Sequence, residues 1–386
     1  MRIMLAIAAA LAGSTPAPPA QSAAGPAVGS PLGPVDPATQ VNPMSDVAVG
    51  SRKEDVLLNL PPNIEVISPF GERAIFSPDD RKVLFVGESY GDVFELDMKT
   101  REVRNLTDHV PNRGFLRAQY LSDGNYILLG PRSRVVDQNY ARRNQIELWF
   151  LSKDGKTGLV PLGHQIFEGI ATSRLSNRIA WTQYGPNFTP FKSANPGYVS
   201  LGGEPGPNEY ASLWIGDVVI KGNVASIENA KEVLRKPRTD CMPEPQDFHD
   251  QDRELTFSCY RLSGPISAPG GARVTTGIWG LRLDTGKVIR YRGDNWAHYS
   301  EPEGIFPDGK STLFECADLK GGMDLCRLEL EPDSRKVTRV THFAEFEGAR
   351  ASNPTLSSDG KQIVFQYARS GDPSGVGHGL LLMHLP

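Results

Sequence analysis

The chain has 386 residues, with 41 Lys and Arg against 45 Asp and Glu, a formal net charge of -4. That mild balance argues against nucleic-acid binding, which needs a basic face. Hydrophobic residues make up 39%, enough for a core, and 39 Gly with 31 Pro fit a fold made of many turns.

Arg2 followed by the apolar run Ile3 to Ala12 and a string of small residues has the form of an export signal, assigned to 1–24, with cleavage between Ser14 and Ala24. The run is short of the ~20 residues that span a bilayer, and no Cys follows it to carry a lipid. From Thr15 to Pro43 the chain is rich in Ala, Pro, Gly and Ser and almost uncharged, so 25–54 is expected to be a disordered linker. Residues 55–386 are expected to form one domain. No other segment looks transmembrane, so no membrane insertion is expected.

That domain repeats itself. FSPDDRKVLFV (76–86), YLSDGNYILL (120–129), IFPDGKSTLFE (305–315) and TLSSDGKQIVF (355–365) each carry an Asp-rich turn into a β-rich run; RLSNRIAWT (174–182) and DFHDQDRELTF (247–257) are weaker copies. Within 73–108 the strands expected are RAIF, KVLFVGE, DVFELDM and EVRNLTD, and four strands in about 40 residues make one propeller blade. The same frame runs through 115–162, 168–234, 241–291, 300–341 and 349–386. The last unit lacks its fourth strand, which Ile64 to Ser68 is expected to supply, closing the ring and removing an open edge. The expectation is an all-β, six-bladed propeller of four-stranded antiparallel blades. A seven-bladed ring is the alternative; it needs an extra sheet near 185–210, where Gly and Pro density argues against one.

Phe76-Ser77-Pro78-Asp79-Asp80 and Phe306-Pro307-Asp308-Gly309-Lys310 resemble the F-S-P-D-G-K repeat of TolB-type, WD-repeat-like β-propellers, a similarity that covers about 55–386. The resemblance implies the fold and a choice of functions. Such propellers include periplasmic protein-binding modules, propeller domains attached to prolyl-oligopeptidase-type hydrolases, and oligogalacturonate lyases. The separate N-terminal domain of TolB is absent from this chain. So is the G-x-S-x-G nucleophile elbow, which argues against a serine peptidase.

Cys241 and Cys259 lie equidistant from the turn at Asp250, and Cys316 and Cys326 from Lys320-Gly321-Gly322. Residues equidistant from a hairpin turn meet across the strands, so 241–259 and 316–326 are the expected disulfides. With the leader, they point to a periplasmic or secreted protein.

Insertions at 131–145, 185–210, 262–274 and 368–379 all fall between second and third strands, so they decorate one face, and insertions gathered on one face of a repeat protein often mark its binding face. His109, His164, His298, His342 and His378 map to that face and are the candidate metal ligands; a divalent metal is the one cofactor considered. Crossing segments add Arg113, Arg117, Glu168, Glu244, Glu301, Glu303 and Arg350, and the segment 294–304 adds Trp296 and Tyr299, which could stack on a ring. Trp296, Tyr299, Glu301, Glu303, Glu168, Glu244, Arg113 and Arg350 are therefore the candidate binding residues. The expected function is recognition of an envelope protein, peptide or glycan by a monomer. The alternative is a lyase on uronic-acid oligosaccharides, with His298, His342, Arg117 and Tyr299 as candidate catalytic groups: Arg to neutralise the carboxylate, His or Tyr to move the α-proton.

Overall fold

The computed structural model describes residues 35–155, 157–185, 209–222, 224–237, 240–263, 273–295, 297–372 and 375–386. The export signal at 1–24, the start of the linker, Trp296 and most of the insertions 185–210 and 262–274 lie outside the described residues. Among the described residues, no helix is long and apolar enough to cross a membrane.

The first blade is β2 (Glu72–Phe76), β3 (Lys82–Val86), β4 (Val93–Asp97) and β5 (Val103–Asn105), paired in that order. The second is β6 (Arg117–Tyr120), β7 (Tyr126–Pro131), β8 (Ile146–Leu151) and β9 (Leu159–Gln165), with the short helix α1 (Gln138–Asn144) between β7 and β8. The third is β10 (Phe167–Thr172), β11 (Arg178–Tyr184), β12 (Tyr210–Lys221) and β13 (Val224–Pro237). The fourth is β14 (Met242–His249), β15 (Glu254–Ser263), β17 (Ile278–Arg282) and β18 (Val288–Arg292), with β16 (Arg273–Thr275) added to β15.

The remaining strands correct the expected blade count. β19 (His298–Ile305), β20 (Ser311–Asp318), β21 (Met323–Glu329), β22 (Val337–Arg339), β23 (Ala349–Leu356), β24 (Gln362–Arg369), β25 (Leu380–His384) and β1 (Ile64–Ser68) form one continuous eight-stranded sheet. The fold is therefore four separate blades and this larger sheet, in place of six or seven blades. The physical reason is the parallel bridge between Met323 of β21 and Arg350 of β23, which makes one ladder of two strand groups that the repeat keeps apart in sequence. At its far edge, β1 pairs antiparallel with β25.

The Asp-rich turn has a common chemistry. Ser77 Oγ donates to Asp79 Oδ1 at 2.7 Å and accepts from the Lys82 amide at 3.0 Å; Ser357 Oγ does the same with Asp359 at 2.7 Å and the Gln362 amide at 2.9 Å. A short polar side chain thus closes both of these turns so that the apolar run can start its strand. Those runs pack between neighbouring sheets: Ile127 and Phe150 of the second blade meet Ile170, Ile179 and Trp181 of the third. A buried polar contact crosses the first joint, where the Tyr120 and Tyr126 hydroxyls both donate to Glu95 at 2.8 Å. At that joint Gly114 has φ +82°, and a Cβ there would lie 1.8 Å from the Tyr90 carbonyl oxygen, so only glycine fits.

Residues 35–54, assigned to the linker from composition, lie against the sheets. The Val35 amide donates to Asp294 O at 3.0 Å, Met44 is fully buried, and the amides of Gly50 and Arg52 each donate at 2.9 Å, to Ala344 O and Glu345 O. A few well-spaced apolar side chains, Met44 and Val47 among them, suffice to dock the segment. The average composition hides them.

Both disulfides form, Cys241–Cys259 with a Cα separation of 5.3 Å and Cys316–Cys326 with 5.9 Å. Each pair is diagonal rather than directly opposite: Cys316 faces Asp324, and Cys259 faces Pro243. Replacing Cys316 and Cys326 by Ser is expected to cost about 2–4 kcal/mol. Urea denaturation checks this; an unchanged midpoint would show that the crosslink constrains little.

Candidate functional site

The first strands β2, β6, β10, β14, β19 and β23 contact one another in a ring about the central axis, and all of them but β6 carry an interruption of their ladder. Register shifts fall between Glu72 and Ile75, Phe167 and Ile170, Pro245 and Asp247, Pro302 and Gly304, and Ser352 and Thr355. A bulge leaves its extra residue unpaired and re-aims it. The residues inside these shifts include Arg73, Glu168, Gln246, Glu303 and Asn353. Arg73 and Asn353 also hold positive φ, at 51° and 47°, where non-glycine residues are uncommon.

The re-aimed side chains line a cavity of about 370 Å³ whose wall carries Arg73, Arg117, Arg142, Arg143, Glu168, Glu244, Tyr260, His298, Tyr299, Glu301, Glu303, Glu315, Arg350 and Asn353. A second cavity of about 280 Å³ lies on the side of the Asp-rich turns, and Arg73, Arg117, Glu303 and Asn353 line both, forming a waist between them.

Part of this charge is balanced locally. Arg73 pairs with Glu72 at 2.7 Å, and Arg142, delivered by α1, pairs with Glu168 at 2.9 Å. Glu315 Oε1 accepts from the amide and side chain of Asn353 at 2.8 and 3.1 Å. Tyr260 and Tyr299 both donate to Glu301, and Gln246 does so at 3.3 Å. Among the described residues, Arg117 Nε, Arg350 Nε and Glu244 Oε2 on this wall are buried with no hydrogen-bond partner.

Burial of acids beside acids raises their pKa values. Burial, then Glu168 and Glu301, push Glu244 up to about 8. Burial and Glu301 push Glu315 up to about 7. Burial, with Glu301 and Glu315, holds Glu303 well above the ordinary range; burial raises Glu301 too, against the pull of its two tyrosines. Arg117 loses hydration on burial, but Glu303, Glu244 and Glu301 outweigh that and raise its pKa.

Of the residues singled out from sequence, Arg117, Glu168, Glu244, Tyr299, Glu301, Glu303, Arg350 and His298 share the cavity. The histidines do not gather. His109 is exposed beside Asp108 at 3.3 Å, His342 is exposed beside Glu345 at 3.2 Å, and His164 lies in β9 against Trp181, its pKa lowered by burial. His378 bonds to Asp372. His298 alone of the five lines the cavity, and it is held neutral: burial and the Arg292 guanidinium, 3.1 Å away, depress its pKa to about 3. A base that weak does not take protons at neutral pH. His342, the other histidine considered for catalysis, is remote from the cavity wall, and Arg113 is exposed outside it.

Arg73, Glu315, Asn353, Tyr260 and the helix pair Arg142 and Arg143 also line the cavity without standing out in the sequence. A usable signal exists for the bulges. Gly169, Pro245, Pro302, Gly304 and Pro354 interrupt the innermost strands, and Gly or Pro inside a strand marks a bulge or a close approach.

No family model and no curated protein sequence matches the chain. Solved structures similar to it include TolB from Acinetobacter baumannii, 14% identical, covering 89% of this chain and 75% of that one, with a TM-score of 0.42. An oligogalacturonate lyase from Vibrio parahaemolyticus is 13% identical over 81% and 77%, with a TM-score of 0.46. A gluconolactonase from Xanthomonas campestris is 12% identical over 95% and 99%, with a TM-score of 0.49. All three TM-scores fall below 0.5, and none of the three bears on the chemistry of this chain.

The raised carboxyls have a pH consequence. Between the ordinary value of 4.5 and about 8, folded Glu244 holds a proton that the unfolded chain has released, so its contribution to stability falls as pH rises through that window. With chelator present, the melting temperature is expected to decline from about pH 5 to about pH 8, and less steeply in Glu244→Gln. Parallel pH profiles of the two proteins would show instead that Glu244 ionises normally.

Proposed function

We propose that the chain is a recognition module that takes a carboxylate-bearing segment of a protein or peptide into the mouth of its central cavity. The observation that carries this reading is Arg117: its guanidinium lines the waist of the cavity, and its buried Nε has no partner. A buried donor without an acceptor is costly, and a ligand carboxylate supplies a charge-assisted one. Arg350 lines the same wall, and its Nε is also buried without a partner. At about 370 Å³ the space suits one or two residues of a ligand, with the rest lying on the decorated face.

The glutamates decide between ligand classes. Glu244, Glu301, Glu303 and Glu315 already crowd one another enough to raise their pKa values, and a carboxylate on every unit would add to that cost, so a polyuronate is disfavoured relative to a peptide with one carboxylate. Neither histidine considered for lyase chemistry serves as its base, since His298 stays neutral to about pH 3 and His342 is remote from the cavity wall. The export signal expected at 1–24 and the two disulfides support an exported protein in an oxidising compartment, so the partner proposed is an envelope or extracellular protein, bound by a monomer.

The test is fluorescence anisotropy with a panel of labelled peptides, free and amidated at the C-terminus, beside uronic-acid oligosaccharides. Peptides with a free carboxylate are expected to bind, and Arg117→Met is expected to weaken them roughly tenfold or more. Indifference to both amidation and Arg117→Met would overturn the assignment. Ultraviolet absorbance from an unsaturated sugar product would replace recognition with lyase chemistry.

A further inference from the structure

We propose that Glu301, Glu303 and Glu315, with Glu244 as a fourth carboxylate, form a site for a hard divalent cation such as Ca²⁺ or Mn²⁺. Glu301 and Glu303 come from β19 and Glu315 from β20, and one carboxylate oxygen of each lies within 4.8 Å of the other two. A cation bound at about 2.3–2.6 Å holds opposite oxygens about 4.6–5.2 Å apart, so the three already fit around one ion. The donors are all oxygen, which selects Ca²⁺, Mg²⁺ or Mn²⁺ over metals that prefer imidazole or thiolate.

Two independent observations point to a missing positive charge. Glu244 is 1% exposed and lines the same cavity, and its Oε2 has no partner. Glu301 and Glu315 stand directly opposite each other across the antiparallel ladder, where like charges destabilise a sheet. The surroundings also hold the ligands in place, since Asn353 fixes Glu315 and the two tyrosines fix Glu301, as groups behind a metal's own ligands do.

The site shares the cavity of the peptide reading and does not rest on it, because the cation binds without a ligand. The experiment is calorimetric titration of the full chain, stripped with chelator and dialysed, with Ca²⁺ and with Mn²⁺ alone, followed by melting with and without metal. Wild type is expected to show one saturable site and a metal-dependent rise in melting temperature. Glu303→Gln and Glu315→Gln are expected to weaken binding tenfold or more, while His342→Ala, outside the cavity, binds as wild type. Removing one of several clustered like charges relieves repulsion, so the metal-free Gln variants are expected to melt no lower than wild type, which separates lost binding from lost fold. Absence of saturable binding by wild type, or wild-type affinity in the Glu303→Gln, Glu315→Gln double variant, would overturn the site. Either result leaves the peptide assay with Arg117→Met standing on its own.

Discussion

The innermost strands of a radial array of sheets have no further strand to pair with on the axis side. They must either fill that axis with apolar side chains or line it with polar ones that find partners there. In this chain they do the second. The register shifts in β2, β10, β19 and β23 turn Arg73, Glu168, Glu303 and Asn353 into the cavity, and the packing between sheets holds those strands at fixed spacing. The cavity wall is therefore assembled from residues far apart in sequence, and its charge pattern is a property of the ring.

That arrangement concentrates acids where water is scarce. Arginine partners neutralise Glu72 and Glu168, and a set of hydroxyls and amides restrains Glu301 and Glu315. Glu303 and Glu244 have less support, and their raised pKa values are the cost of holding them there. A fold tolerates such a cluster when the rest of the structure over-determines it, and clusters of this kind are more common at sites that bind something than in plain cores. The buried Arg292, which donates to Ser300 Oγ and to Val41 O, shows how the docked N-terminal segment braces the same wall.

Much of the fold was legible because it depends on local chemistry. The Ser-x-Asp turns, the alternating runs and the two cysteine pairs all announce themselves within a few residues. What was not legible depends on events between distant segments. The single bridge from Met323 to Arg350 joins two strand groups into one sheet, and nothing in either repeat encodes it. Residues 35–54 look like a spacer because only a few apolar side chains dock them. At the site, Arg117, Glu244 and Glu301, near the starts of innermost strands, follow from the repeat frame, and Glu303 from the same acidic segment as Glu301. Glu315 and Asn353 do not: one is a second-strand residue and the other sits in a bulge. The histidines were misleading for a related reason, since His109 and His342 share the decorated face with the cavity but point to solvent ion pairs.

The measurement that bears most directly on this account is anomalous diffraction from crystals of the full chain grown with Mn²⁺. The account predicts one strong peak bounded by the carboxylates of Glu301, Glu303 and Glu315, with Glu244 facing it. A cavity with no peak, in which these glutamates hydrogen-bond to one another as neutral acids, would contradict it.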